Sequence, residues 1–250
     1  MKRSKPIFMK RSFWQSVLVI LFLFGISYFF AFSPVFQIKE VKIAGAQKVP
    51  QEQIMSKIND ILPKSILIFK TKSIFLANIS QTEEGLLENF PQIEGAVFDR
   101  EFPASLNVEI KERGARALWC NGECYLIDKD GVAFEAAPDN NQLMQIEVET
   151  AFEQAKLGQS VISRELLSSI LKIEALLKEK AGLETQKAMV ISTERVNFKT
   201  REGWEIYFNL EDDFEWQVTK LTLVLEREIL PEKREILEYI DLRFTRVYYK

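Results

Sequence analysis

Twenty consecutive positions, Phe13 to Phe32, read FWQSVLVILFLFGISYFFAF without a charged side chain, and Gln15, Ser16 and Ser27 are the most polar among them. Wound as a helix at 1.5 Å per residue, such a run spans about 30 Å, the thickness of a bilayer's hydrocarbon core. The pattern then changes. Phe36-Gln-Ile-Lys-Glu-Val-Lys-Ile alternates apolar and polar residues over eight positions and stops at Gly45, which predicts a half-buried strand. Ile54, Ile58 and Leu62 recur at spacing four between Pro50, suited to a first helical position, and Pro63, which ends the helix. Past an apolar connector, Ser80-Gln-Thr-Glu83 reads as a capping box for a second helix carrying Leu86, Leu87 and Phe90 up to Pro91. Ile93 to Phe98 and Leu106 to Ile110 follow as strands around a turn, Asp99 to Ser105, that contains Pro103. The order β-α-α-β-β predicts one small α+β domain.

From Ala115 the signals shorten. Ala117 to Cys120 and Cys124 to Ile127 flank Asn121-Gly122, a strong hairpin signal, and a turn at Asp128 to Gly131 precedes Val132-Ala-Phe134. Residues 135 to 160 are polar and poorly periodic, and read as a loop. Leu166, Leu167, Ile170, Leu171, Ile173, Leu176 and Leu177 trace a broad helical face that Gly182 caps. Strands are expected at Ala188 to Ser192, Arg195 to Thr200 and Trp204 to Leu210. A last helix carries Phe214, Val218, Leu221, Leu225 and Ile229 and stops at Pro231, and a strand pair, Ile236 to Leu242 and Phe244 to Tyr249, closes the chain. The expected fold class is α+β: a single N-terminal transmembrane helix, the β-α-α-β-β domain, and a C-terminal mixed α+β domain on an antiparallel-rich sheet.

Charge gives the span a direction. Lys2, Arg3, Lys5, Lys10 and Arg11 precede it, and no acidic residue occurs before Glu40, so the N-terminus is expected in the cytoplasm and everything after Ser33 outside. Signal-peptide h-regions run 7 to 15 residues; this run is longer, lacks an A-x-A site, and places Pro34 where a cut after Ser33 would need another residue. An uncleaved signal anchor follows. The boundaries are then 1–12 for a basic tail, 13–33 for the anchor, 34–113 for the first domain and 114–250 for the second. Five of the 33 basic residues lie before the span and all 36 acidic ones after it, so residues 34–250 carry a net of −8.

Composition removes much chemistry. The 250 residues include no His and two Cys, which excludes Ser-His-Asp and Cys-His catalysis and H-E-x-x-H zinc sites, and leaves too few ligands for a structural zinc or an iron-sulfur cluster. An acidic chain also argues against nucleic acid as the main partner. Ser169-Ile-Leu-Lys172 fits S-x-x-K, but it lies within an amphipathic helix and has no S-D-N or K-T-G companion. Glu211-Asp-Asp213 reads as an exposed turn and helix cap, Glu226 with Glu228 as a solvated helix face, and Asp128-x-Asp130-Gly131 as a β-turn too short for a calcium loop. No catalytic, cofactor, metal or small-molecule site is expected. Cys120 and Cys124 flank Asn-Gly-Glu in a compartment that permits oxidation, so a small disulfide loop and two free thiols are the alternatives, both structural.

The chain resembles the FtsQ/DivIB family of bacterial divisome proteins. The resemblance rests on Phe36 to Gly45 (F-x-I-x-x-V-x-V-x-G), Phe90 to Arg100 (P-x-V-x-x-A-x-V-x-R), Phe102 to Arg113 (W-P-x-T-L-x-I-x-V-x-E-R), Tyr125-Leu-Ile-Asp128 to Gly131, and Tyr239-Ile-Asp-Leu-Arg-Phe244, similar to a D-L-R-Y ending. Gly114 in place of Pro after Glu-Arg, Pro50 in place of a Ser-type cap, and the short end after Phe244 depart from the pattern. The resemblance implies a POTRA domain over 34–113, a β domain over 114–250, and a non-enzymatic single-pass protein of the cytoplasmic (inner) membrane. Its bulk would lie outside, at the division septum, where it binds FtsB/DivIC-like and FtsL-like partners and helps assemble and regulate septal peptidoglycan synthesis. A POTRA-type chaperone or secretion factor, binding exported polypeptides by strand addition, is the alternative. The partner-binding residues are expected on the terminal strand, with Phe244, Arg246 and Tyr248 on one face and Thr245, Val247 and Tyr249 on the other; aromatics that merely close the core are the plain alternative. From the net charge, a partner strand is expected to bring basic or polar groups.

Overall fold

A computed structural model describes residues 11–66, 69–138, 142–148 and 156–250. The tail charges Lys2, Arg3, Lys5 and Lys10 and part of the expected 135–160 loop lie outside the described residues. The chain divides into two compact units, Met1–Glu112 and Arg113–Lys250.

In the first unit, the uncharged run forms α1 (Arg11–Phe32), among the described residues the one helix long and apolar enough to cross a membrane. Its large side chains from Trp14 to Phe30 are exposed all round, as a lipid-facing helix requires. Then come β1 (Glu40–Ala44), α2 (Gln51–Ile61), a hairpin of β2 (Lys64–Ile66) and β3 (Phe69–Thr71), α3 (Ile79–Asn89), β4 (Ile93–Glu101) and β5 (Ser105–Glu112). The sheet runs β1-β5-β4, with β1 parallel and β4 antiparallel to β5. Ile54, Ile58 and Leu86 from the helices pack on Ile93, Ala96, Leu106, Val108 and Ile110 from the sheet. Gly45 ends β1 at φ +85°, where a Cβ would collide with the Ile110 carbonyl, so only glycine fits.

Four local expectations shift. Only the second half of the alternating run joins the sheet, because Gln37 bridges to Ser73 instead. Pro50 stands at the cap of α2, one position before the helix, where its missing N–H costs nothing. The apolar connector folds as the β2–β3 hairpin. Asn78, not Ser80, caps α3: its Oδ1 accepts from the Gln81 N–H at 3.3 Å, and the earlier start buries Thr82 beside Leu86.

The second unit holds β6 (Ala117–Asn121), β7 (Glu123–Ile127), β8 (Ala133–Ala136), β9 (Gln145–Val148), α4 (Arg164–Ala181), β10 (Thr185–Val190), β11 (Arg195–Thr200), β12 (Glu205–Asn209), α5 (Phe214–Arg227), a 3-10 turn (Pro231–Ile236), β13 (Tyr239–Asp241) and β14 (Tyr248–Tyr249). Among the described residues the strands form one sheet in the order β14-β13-β12-β11-β10-β9-β6-β7-β8. Leu167, Ile170, Ile173 and Leu177 of α4 and Val218, Leu221 and Leu225 of α5 meet Phe198, Ile206, Phe208 and Ile240 from the sheet in one core. Gly182 ends α4 in the left-handed region, and Ser163 and Asp213 cap α4 and α5.

Two readings of this unit are corrected. The supposed loop contains β9, which lies inside the sheet, parallel to both β6 and β10. Its four residues bury only Ile146 completely, too little alternation to register as a strand. At the end of the chain, Ile236 belongs to the 3-10 turn and the strand expected over Phe244–Tyr249 shrinks to Tyr248–Tyr249, with residues 243–246 forming a bend.

Candidate partner-binding edge

The bend has an identifiable cause. Lys220 Nζ, reaching across from α5, donates to the carbonyls of Leu242 at 2.9 Å and Phe244 at 2.7 Å, so these oxygens are withdrawn from strand pairing. Burial pushes the Lys220 ammonium below its ordinary pKa, although Asp212 and Asp241 oppose that. On the same bend Arg243 clamps Asp241, with Nε to Oδ1 at 2.8 Å and Nη2 to Oδ2 at 2.6 Å. Burial alone would raise the Asp241 carboxyl; hydrogen bonds from the Arg243 side chain and backbone hold it below its ordinary value.

Beyond the bend, β14 is, among the described residues, the outermost strand and pairs with β13 alone, through Ile240↔Tyr249 and Asp241↔Tyr248. Lys250 and Tyr239 exchange backbone bonds, the Lys250 N–H to the Tyr239 carbonyl at 3.2 Å and the Tyr239 N–H to the Lys250 carbonyl at 3.3 Å. Bonded and non-bonded pairs alternate in an antiparallel ladder, so the N–H and C=O of Tyr249 point away from β13 to the open edge. This is the arrangement that can accept an added strand.

Side chains divide around that edge. Phe244 and Tyr248 come together, ring centroids 5.8 Å apart and edge to face, both exposed with Arg246 beside them. Tyr249 turns to the helix side, where its hydroxyl donates to Glu228 Oε2 at 3.1 Å, a bond that raises the phenol's pKa. Val247 packs against the core, so core closure and exposed display are split among neighbouring residues.

A cluster not anticipated from the sequence adjoins this edge on the sheet's other face. Tyr207 and Tyr239 stack at 5.1 Å, 9° from parallel, with the Arg195 guanidinium 4.7 Å and that of Arg243 5.6 Å from the Tyr207 ring centre. Burial raises the Tyr207 phenol, with Glu205 adding to it. Strand alternation alone would place Tyr239, Asp241 and Arg243 on one face; what was hidden was that β12 and β13 are parallel neighbours. Of the basic residues at the edge, Arg243 is paired with Asp241 and Lys250 with Glu238, at 2.9 Å, so Arg246 is the exposed cation displayed beside the aromatic pair.

The remaining candidates fall elsewhere. Ser169 and Lys172 lie within α4. Asp213 Oδ1 caps α5 through the N–H groups of Glu215 and Trp216, and Asp212 accepts from Asn209 Nδ2 at 2.9 Å. Asp128 forms the expected turn with Gly131, and in addition its buried carboxylate holds Arg113. Cys120 and Cys124 face each other across the β6–β7 hairpin and are joined by a disulfide, Cα atoms 4.2 Å apart. Among the described residues, a cleft of about 480 Å³ beside α4 is lined by one carboxylate, Glu174, which burial raises above its ordinary pKa.

Residues 117–243 match the family model described as cell division protein FtsQ/DivIB, C-terminal, and residues 36–113 match that of the POTRA domain, FtsQ-type. No curated protein matches the chain. The first match stops at Arg243, so Phe244, Arg246, Tyr248 and Tyr249 lie just beyond it.

Proposed function

We propose that this chain, which belongs to the FtsQ/DivIB family of cell division proteins, acts as a non-enzymatic divisome scaffold that takes a partner strand on β14. The family supports a role in cell division, and α1 fits a single-pass anchor in the inner membrane. The finer reading puts the N-terminus in the cytoplasm and both folded units outside, enriched at the septum. FtsB/DivIC-like and FtsL-like single-pass proteins would be the partners.

The observation that carries this reading is the open edge at Tyr249, flanked by the exposed Phe244, Arg246 and Tyr248. Main-chain bonds to Tyr249 would supply affinity and register, while the aromatic pair and Arg246 would select the partner's side chains. Arg246 favours an acidic or polar group opposite it, a local exception to the basic or polar groups that the net charge suggests. No chemical step is needed. Holding two membrane-anchored partners on one tether raises their local concentration, and septal peptidoglycan synthesis is assembled and regulated through that positioning.

A photo-crosslinker at Tyr248 tests the reading in cells. Capture of a small coiled-coil membrane protein is the expected result, and capture of lipid alone or of nothing sinks it. Broad capture of unfolded exported chains would favour a chaperone instead.

A further inference from the structure

The geometry points to a second membrane contact, made by the POTRA unit itself: an aromatic corner formed by Phe75 and Phe102 sits in the interfacial layer of the bilayer that α1 crosses. The inference rests on the reading of α1 as an anchor and goes beyond it, because it concerns residues of the folded domain.

A helix leaves its last carbonyls without partners of its own. At the end of α1 the domain supplies them. Ser73 Oγ donates to the Phe30 carbonyl at 2.8 Å, and Gln37 Nε2 and Thr71 Oγ1 both donate to that of Ala31, Gln37 at 3.1 Å. Ser73 and Thr71 are buried, so these caps are built into the domain rather than loosely draped on it. The span therefore enters the domain as a fixed strut.

Rings continue the junction outward. Phe30 lies 5.3 Å from Phe36 and 5.2 Å from Phe75, Phe36 lies 5.2 Å from Phe75, and Phe75 lies 5.3 Å from Phe102, all within the range of direct aromatic contact. Yet Phe75 remains 42% and Phe102 58% exposed. Phe30 stands two residues before the end of the span, about 3 Å of helix rise from it. A ring touching Phe30 must then lie near the same depth, at the boundary of acyl chains and headgroups, where apolar groups sink by roughly 5–10 Å. Lys39, exposed and with its N–H bonded to the Ala104 carbonyl at 2.9 Å two residues past Phe102, suits anionic headgroups, while Glu101 beside Phe102 is paired with Lys42. Continuity with the span identifies the occupant as lipid, not water or a soluble partner. Seated this way, the domain is held at one tilt to the bilayer.

The test uses the full chain, with its native cysteines oxidised, in vesicles of phosphatidylethanolamine and phosphatidylglycerol. An NBD label is placed at Phe102→Cys or Phe75→Cys, with Leu23→Cys as the reference inside the span. Val97→Cys serves as the water reference, about 17 Å along β4 from Phe102 at 3.4 Å per residue. The expected result is a blue-shifted emission at both corner sites and quenching by doxyl lipids at least twofold above that at position 97. Water-like, unquenched labels at 75 and 102 beside a quenched label at 23 overturn the contact and leave the anchor standing. Should the label at 23 be unquenched as well, the anchor reading falls and takes this one with it. Blue-shifted labels that lipid quenchers do not reach would mean protein covers the corner, which also overturns the proposal.

Discussion

Arg243 and Asp241, two residues apart, are joined by paired hydrogen bonds of 2.8 and 2.6 Å at the point where the sheet's last strand turns back on itself. Burial disfavours the Asp241 charge, and the bonds from Arg243 more than offset it, leaving the carboxyl below its ordinary pKa in the folded protein. A depressed carboxylate stabilises the fold above its unfolded pKa, and that contribution is lost as pH falls through the folded value. Arg243→Ala should therefore lower the melting temperature at neutral pH, increase hydrogen exchange in β14, and flatten the acid side of the stability profile. An acid limb identical to that of the parent chain would show that the clamp contributes nothing.

The free edge at Tyr249 can be tested through its backbone. Compared with Tyr249→Ala, which loses the same ring and its bond to Glu228, proline at 249 further removes only an N–H that β13 does not use, so it should melt within about 2 °C of that variant. Partner binding should weaken by about a further tenfold relative to Tyr249→Ala, the worth of one main-chain hydrogen bond at the upper end of its range. Strand addition is contradicted by unchanged affinity, measured with the purified full chain and a partner peptide.

In the POTRA unit, Glu112 organises the turn that leads into α2. Its carboxylate accepts from the N–H groups of Gln47 at 2.9 Å, Lys48 at 2.8 Å and Val49 at 3.0 Å. Burial would raise this carboxyl, but the three backbone bonds bring it below its ordinary value. Its stabilisation is thus present above the unfolded pKa and disappears as pH drops through the folded one. Glu112→Gln should cost about 1–3 kcal/mol at pH 7, from bonds to a charged acceptor, and much less near pH 3. Denaturant titrations at the two pH values would separate this from a packing defect, which would not depend on pH.

How much of this was legible in the sequence depended on range. The span, Gly45, the amphipathic helices and the hairpin at Asn121-Gly122 announce themselves within a few neighbouring residues, and the structure contains each of them. β9 escaped because its evidence is remote: Gln145–Val148 becomes a strand by lying between residues 118–120 and 187–190. The terminal strand was overextended for a similar reason, since nothing between Phe244 and Tyr249 foretells that Lys220 will capture the Phe244 carbonyl. Tyr207 and Arg195 joined the candidate surface only once the pairing of β11 with β12 and of β12 with β13 was known.

The Cys120–Cys124 disulfide should stabilise without specifying the fold. It closes a loop of five residues, worth about 2 kcal/mol in the chain-entropy model. The hairpin it spans is already directed by Gly122 at φ +84° and by the small apolar cluster of Leu118, Leu126 and Phe134. Replacing both cysteines with serine should lower the melting temperature by roughly 4–8 °C for a domain of this size, with the near-ultraviolet circular dichroism otherwise retained. The same shift should appear in the parent chain on reduction and should be absent in the double variant. Collapse of the tertiary signal in that variant would instead make the bridge a condition of folding, and the hairpin sequence insufficient by itself.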